Sequence, residues 1–212
     1  MAIDYRTEPL ARYLDEAAAA RPTPGGGSVA AVAGALASTM AAMAAGFTAG
    51  KERFKDVEPE IHEHLGRLAE IREALLALAH DDMAAYEGIM AAFRLPKETV
   101  EEKSARREAL RKATRASLGV VGGVRDAALE VLTIARRLAD IANPNLISDV
   151  GVAAELALGA VRAAQVNTSV NLAGYTDEED AAAVRSEIDA AVAEAERLAG
   201  ETRDIVLAKL SG

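Results

Sequence analysis

The sequence contains no cysteine and no tryptophan, and only 3% of its residues are aromatic. Without cysteine the chain has neither a disulfide nor a thiolate metal site. Strands need runs of aromatic and β-branched residues, and such runs are few here. Hydrophobic residues still make up 50% of the chain, and alanine supplies much of that half. This composition predicts an all-α protein built from closely packed helices.

The sequence also has fewer basic than acidic residues. The chain carries 24 Lys and Arg against 33 Asp and Glu, a formal net charge of -9. This balance argues against a nucleic-acid partner that binds through a basic surface. The N-terminal residues show no signal-peptide pattern, so we expect a cytoplasmic protein. With 212 residues and no internal repeat or linker, the chain is expected to form one helical domain, residues 1–212.

A proline- and glycine-rich turn, residues 22–28, precedes 22 uncharged residues, 29–50. Its glycines allow unusual backbone angles, its final serine is a good N-cap, and its free N–H groups predict an anion site. The uncharged segment is long enough to span a bilayer. Alanine and glycine favour lipid only weakly, so we interpret it as a buried core helix without a membrane partner. Small residues at every fourth position predict a thin packing ridge: Ala30, Gly34, Ser38, Ala42 and Gly46.

Apolar periodicity predicts further helices over residues 9–20, 58–93, 100–117, 126–142, 150–173 and 176–210. Thr99 with Glu102, and Thr176 with Glu179, have the spacing of capping boxes. Glycines at 119, 122 and 123 predict a kink or a close helix crossing. The dense charges of residues 100–117 are interpreted as a solvated face. Together these segments predict an up-and-down bundle of long helices.

Asp82 stands on the apolar stripe of the helix predicted over residues 58–93. A carboxylate is costly to bury unless something compensates for it. Asp82 could pair with an arginine or cap a neighbouring helix, or it could be a catalytic group whose pKa burial raises. His62, His64 and His80 lack the spacing of metal ligands, so no metal site is expected.

Polar side chains mark both ends of the helix predicted over residues 150–173. Eighteen residues separate Asp149 from Asn167, which is ~27 Å of helix, so one small ligand cannot touch both. Either they hold different ends of a long ligand, or one belongs to a site shared with a second subunit. Asn167 and Asn171 could instead form interhelical hydrogen bonds.

Several separated motifs occur in an order that resembles the cyclodeaminase/cyclohydrolase family, over residues 5–210. The motifs are Pro24-Gly25-Gly26-Gly27-Ser28, Gly50-Lys51, Asp82-x-x-Ala85-Tyr86, Asn143-x-Asn145-x-x-Ser148-Asp149 and Asn167-x-x-x-Asn171. The family usually has a glycine where Ala142 stands, and often a proline near position 117, where this chain has serine.

The resemblance implies a helical homodimer that acts on a tetrahydrofolate derivative as its substrate, with no metal and no redox cofactor. The short chain favours a methenyltetrahydrofolate cyclohydrolase. The alternative enzyme is a formimidoyltetrahydrofolate cyclodeaminase, which releases ammonia. A non-catalytic helical scaffold is the rival hypothesis, and it predicts that Asp82 is paired away and that no pocket lies beside the glycine turn.

By the same resemblance Asp82 is the catalytic acid/base. The glycine turn would receive a tail carboxylate or a polar edge of the pterin. Lys51 would neutralise a tail carboxylate, or simply complement a helix C-terminus. Tyr86 would stack on the substrate or belong to the core. The expected substrate-binding residues are Gly25, Gly26, Gly27, Ser28, Lys51, Tyr86, Asn145, Ser148, Asp149, Asn167 and Asn171.

Overall fold

The computed structural model describes residues 3–211, which contain helices and no strand. Short 3-10 turns occur at Tyr5–Thr7, Glu52–Val57 and Pro144–Leu146. The prediction of an all-α fold is therefore confirmed. The α-helices are α1 (Leu10–Ala18), α2 (Gly26–Gly46), α3 (Glu58–Phe93), α4 (Val100–Ile141), α5 (Ile147–Leu172) and α6 (Glu178–Ser211).

Helix α2 is the centre of the bundle and packs against α3, α4 and α5. It is thin enough for a close approach, since a Cβ atom on Gly34 would lie 3.2 Å from the Leu75 side chain. Ser38 hydroxyl donates to the Leu68 carbonyl at 2.7 Å and ties α2 to α3. Among the described residues α2 is the one helix long and apolar enough to cross a membrane, and half of its most apolar window is buried in the bundle.

The predicted ridge of small residues along α2 is only partly correct. Ala30, Gly34 and Ser38 are buried against neighbouring helices. Gly46, the last member, is exposed and would meet nothing within 4 Å if it carried a Cβ atom. Four residues turn a helix by about 400°, so each step moves the ridge ~40° around the axis. After four steps it has left the buried face.

The helices predicted over residues 100–117 and 126–142 are a single helix, because α4 runs unbroken for 42 residues. Of the two alternatives predicted for the glycines between them, a kink or a close crossing, the structure has the crossing, at Gly123. A Cβ atom on Gly123 would lie 3.1 Å from the Leu78 side chain of α3. The capping box of Thr99 and Glu102 starts α4 as predicted.

Two other predicted helix details are wrong. The cap of α6 is Asp177, which accepts the Asp180 N–H at 3.2 Å, so the helix begins beyond Thr176. The sequence also predicts an apolar stripe on the first helix, at Leu10, Tyr13, Leu14 and Ala17, but this stripe is buried at Tyr13 alone. Tyr13 is buried there, while Leu10 and Leu14 are 63% and 55% exposed.

Helices α3 and α4 are longer than α2, so part of their hairpin projects beyond it. Asp82 lies level with the start of α2, and residues 83–116 continue past this point as a hairpin arm. The α3 side of the arm is ~16 Å long. A small apolar cluster of Leu118, Leu172, Ala181 and Val184 fixes the α5–α6 turn at the base of the arm. The start of α2, the base of the arm and the end of α5 therefore meet in one place.

Candidate active site

The carboxylate of Asp82 lies directly against the glycine turn. The Ser28 N–H in the first turn of α2 donates to Asp82 Oδ2 at 2.9 Å. Gly27 leaves the space that the carboxylate occupies, because a Cβ atom there would lie 2.0 Å from Asp82 Oδ1 and 2.6 Å from Cγ. A residue with a side chain at position 27 would displace the carboxylate. The turn and Asp82, which are 54 residues apart, thus form one unit.

Two opposed effects act on the pKa of Asp82. Burial raises the pKa of the carboxyl, and the hydrogen bond from Ser28 lowers it by a smaller amount, so the pKa stays above its ordinary value. Within residues 3–211 no Lys or Arg is paired with Asp82. The expectation that it caps a neighbouring helix is correct, and the expectation of an arginine partner is not. The cap engages Oδ2, and Oδ1 lies over Gly27 beside the cleft.

A cleft of about 200 Å³ opens beside Asp82. Seven of the predicted site residues line it: Gly25, Gly26, Gly27, Asp82, Tyr86, Asn167 and Asn171. Ile89, Ser117 and Val170 also contribute, and no Lys or Arg lies among the lining residues. The scaffold hypothesis predicted no pocket beside the glycine turn and a paired Asp82. The first expectation is wrong, and on the second, Asp82 is paired through Oδ2 alone, with the Ser28 N–H.

The two asparagines of α5 differ in their hydrogen bonds. Asn171 Nδ2 donates to Ser117 Oγ of α4 at 2.9 Å, which is the interhelical bond considered from the sequence. Asn167 Nδ2 donates within its own helix, to the Ala163 carbonyl at 2.9 Å. Asn167 Oδ1 lies beside Gly26, 3.1 Å from the position of a Cβ atom there. The side-chain amides of Asn167 and Asn171 therefore both lie in the wall of the cleft, and each is held by one hydrogen bond.

Sequence reasoning missed Tyr13 and Ser117. The Tyr13 hydroxyl is 3.1 Å from Ser28 Oγ, and both side chains are buried. Burial raises the pKa of the Tyr13 phenol, and the nearby charge of Asp82 adds to this. Tyr13 therefore supports the residue whose N–H holds Asp82. A buried tyrosine hydroxyl needs a partner, so a tyrosine on an apolar stripe was the available signal.

Ser28 lies with Asp82, and the other four predicted site residues lie at the opposite end of α2. Thr48 Oγ1 accepts the Asn143 N–H at 2.9 Å, and Asn143 Oδ1 accepts the Asn145 N–H at 3.2 Å. Lys51 Nζ lies 5.9 Å from the centre of the Phe47 ring. Because the 21 residues of α2 span ~30 Å, this end is remote from Asp82 in the same chain. The second group comprises Lys51, Asn145, Ser148 and Asp149.

The chain is thus a helical-bundle protein in which a partly buried carboxylate, held at the N-terminus of the central helix, borders a cleft. Comparison with known families gives a more specific result. The family model described as formiminotransferase-cyclodeaminase matches residues 9–190. The chain belongs to this family, and the family predicted from the motifs is confirmed.

Individual relatives agree with this assignment. A methenyltetrahydrofolate cyclohydrolase from Methylorubrum extorquens is 33% identical over 96% of this chain and 98% of its own length. A formimidoyltransferase-cyclodeaminase from Sus scrofa is 28% identical over 93% of this chain, which spans only 36% of that relative. The crystal structure of a formiminotetrahydrofolate cyclodeaminase from Thermotoga maritima superposes with a TM-score of 0.88 at 30% identity, covering 96% of this chain and 98% of that one. These relatives are all named as enzymes.

Proposed function

We propose that this chain is a methenyltetrahydrofolate cyclohydrolase, which converts 5,10-methenyltetrahydrofolate and water to 10-formyltetrahydrofolate. The observation that carries the proposal is Asp82, whose Oδ2 is held by Ser28 while Oδ1 lies beside the cleft. The cyclohydrolase from Methylorubrum extorquens supports this choice, since the two chains match over nearly their full lengths.

In the proposed reaction, ionised Asp82 accepts a proton from a water molecule as its oxygen bonds to the carbon between N5 and N10. The product of this step is a neutral tetrahedral hydroxyl adduct. Asp82 then returns the proton to N5 while the bond from that carbon to N5 breaks. The hydroxyl proton leaves to solvent, and the formyl group stays on N10. A carboxyl whose pKa is raised is suited to both transfers near neutral pH.

We further propose that a second copy of the chain completes the site. An apolar face of α2 is exposed at Val29, Leu36, Met43 and Phe47, whose side chains are 38–54% accessible. Two-fold packing of this face on its copy, with the α2 helices antiparallel, would bring the C-terminal end of one α2 over the N-terminal end of the other. The second polar group (Lys51, Asn145, Ser148 and Asp149) would then reach the partner's Asp82 cleft. This accounts for two sets of family motifs ~30 Å apart in one chain.

The second candidate function is a formimidoyltetrahydrofolate cyclodeaminase. The structural neighbour from Thermotoga maritima carries that name, and its fold superposes closely on this one. The proposed chemistry differs little, because N10 attacks the same carbon, and Asp82 accepts the N10 proton and passes it to the amino group, which leaves as ammonia when its bond to that carbon breaks.

A paired assay tests these functions. Methenyltetrahydrofolate is added and its near-ultraviolet absorbance is followed, while formimidoyltetrahydrofolate is tested in parallel for ammonia release. We expect loss of absorbance well above the spontaneous rate and little ammonia. Fast ammonia release with slow hydrolysis would favour the cyclodeaminase, and no acceleration of either reaction would refute both.

Subunit mixing tests the shared site. Asp82→Asn and Asp149→Asn should each inactivate the protein when purified alone. After unfolding and refolding together in equal amounts, mixed dimers contain one site with both native residues, so about a quarter of wild-type activity should return. If both residues served one site within a subunit, no mixture would recover activity.

A further inference from the structure

A second cavity, which we call the N-terminal pocket, lies beside Ser28 and is separate from the Asp82 cleft. It has a volume of about 230 Å³ and is enclosed between the N-terminal segment, α2 and α3. The pocket and the cleft share no lining residue, so a molecule in one leaves the other free. The walls of the pocket are largely apolar and are formed by Tyr5, Tyr13, Val32, Leu76, Ala79 and Met83.

Three charged residues also line the pocket, but other residues neutralise them. Asp4 and Arg6 form an ion pair at 2.6 Å. Glu8 pairs with Arg12 of α1 at 2.8 Å. A charged molecule entering the pocket would lose its hydration and find no free counter-ion among these residues, which is costly. The pocket is therefore suited to an uncharged ligand.

Two tyrosine rings form an aromatic wall of the pocket. The centroids of Tyr5 and Tyr13 are 5.2 Å apart, and their planes meet at 80° in an edge-to-face pair. Their hydroxyl groups are already engaged, at 2.6 Å from Glu16 Oε2 and 3.1 Å from Ser28 Oγ. Aromatic rings and the thioether of Met83 both make favourable contacts with a further aromatic ring. An apolar cavity of about 150 Å³ holds benzene, so this larger pocket has room for a bicyclic ring.

One polar atom of a lining residue has no partner. His80 lines the pocket from α3, and its Nδ1 atom is buried without a hydrogen bond to any residue in the described range 3–211. Buried polar atoms are normally hydrogen-bonded, so this exception points to a partner from outside the chain. An imidazole nitrogen donates or accepts according to its tautomer, and a hydroxyl group can do the opposite in either case.

We propose that the N-terminal pocket binds a small, uncharged, hydroxylated aromatic molecule, a phenol or a naphthol. The ring packs against Tyr5, Tyr13 and Met83, and the hydroxyl group forms a hydrogen bond with His80 Nδ1. The volume of the pocket, its paired charges and its one unpaired nitrogen together define this class of ligand. No unpaired Lys or Arg stands among the lining residues to receive the anionic tail of a folate, so this site is distinct from that of the proposed substrate.

The test uses 2-naphthol as a fluorescent probe, which is convenient because the chain has no tryptophan. We expect saturable binding, with an affinity about tenfold above that of naphthalene, which lacks the hydroxyl group. His80→Phe keeps a ring of similar size but removes both nitrogens, so it should bind the two probes equally. His62→Phe makes the same substitution at an exposed position of α3 outside the pocket and should keep the tenfold preference.

Filling the pocket gives an independent test. Leu76→Phe places a larger side chain in the wall and should weaken the binding of both probes at least tenfold. Because a ligand that binds only the folded state stabilises it, 2-naphthol should raise the Tm of the native protein but not that of Leu76→Phe. Absence of saturable binding, a hydroxyl preference that persists in His80→Phe, or native affinity in Leu76→Phe would overturn the proposal.

Kinetics distinguish the N-terminal pocket from the cleft. Because the two share no lining residue, 2-naphthol should not compete with methenyltetrahydrofolate. Competitive inhibition would place the probe in the cleft and overturn the proposal. Binding of 2-naphthol that depends on His80, in a protein without turnover, would refute the proposed reaction and leave the pocket assignment standing.

Discussion

Substitution of Gly27 by alanine tests the geometry on which the candidate site depends. The new Cβ atom would lie 2.0 Å from Asp82 Oδ1, whereas real Cβ contacts do not fall below 3.0 Å. The carboxylate must therefore retreat by about 1 Å or more, and its hydrogen bond with the Ser28 N–H must lengthen or break. Because the clashing atoms are the end of a side chain, the backbones of α2 and α3 can stay in place.

The expected effects on stability and activity differ in size. Loss of a hydrogen bond to a charged group costs about 1.5–3 kcal/mol, and replacing a helical glycine with alanine returns up to about 1 kcal/mol. The net loss should be about 1 kcal/mol, or 2–4 °C in Tm for a chain of this size. Misplacing a catalytic group by 1 Å can cost about 10²-fold in rate. Gly27→Ala should therefore remain folded and lose about 99% of its kcat/KM.

The matched control is Gly66→Ala on the exposed side of α3, where a Cβ atom would meet nothing within 4 Å. This variant should gain up to about 1 kcal/mol of stability and keep its activity. Thermal melts and initial rates of methenyltetrahydrofolate hydrolysis measure both quantities. If Gly27→Ala retained the native kcat/KM, the position of Asp82 against α2 would be irrelevant to catalysis, and the reasoning would fail.

Three further perturbations follow from the same contacts. Asp82→Asn should lose turnover yet gain stability at pH 7, because burial raises the pKa of Asp82 and makes its ionised form costly. The gain should disappear below pH 3.8, the ordinary pKa of the carboxyl, because Asp82 is then protonated in both the folded and the unfolded chain, so melts without this pH dependence would contradict it. Tyr13→Phe removes the support of Ser28 and should lower kcat several-fold and shift its pH profile; an unchanged profile would make Tyr13 purely structural. Thr48→Val leaves the buried Asn143 N–H unsatisfied and should cost about 1–3 kcal/mol in urea unfolding, and a neutral effect would show that water replaces the hydroxyl.

Local patterns were sufficient to predict the elements that carry the site. The apolar stripe of α3 identified Asp82 as a carboxylate on an otherwise apolar helix face. The alanine-rich run identified α2 and the glycine turn that precedes it. Both predictions depend on the spacing of residues within one helix, and that spacing can be read directly from the sequence. One of the alternatives considered for Asp82 was that it caps a neighbouring helix, and the Ser28 N–H of α2 does donate to its carboxylate.

Features that depend on tertiary contacts could not be predicted in this way. Tyr13 looked like one apolar position among several, and its role follows from the path of α1 across Ser28. The charges of residues 100–117 were interpreted as a solvated face, because nothing in their spacing reveals that the α5–α6 turn lies opposite Arg106, Arg107 and Arg111. For the same reason the sequence left both a kink and a close crossing open for the glycines of α4, since the crossing depends on Leu78 of α3, which lies against Gly123.

The cap and the proposed chemistry place opposed demands on Asp82, and the substrate can reconcile them. Burial raises the pKa of this carboxyl, while the Ser28 N–H and the positive end of α2 favour its ionised form. The methenyl group is a cation, so its arrival beside Asp82 would further favour the carboxylate needed to accept a proton from water. Attack by water abolishes that positive charge and leaves the buried carboxyl in neutral surroundings. Its affinity for the proton then rises, and the proton remains on Asp82 until the nitrogen of the breaking bond takes it. One residue can therefore act first as base and then as acid, with the substrate's own charge as the switch.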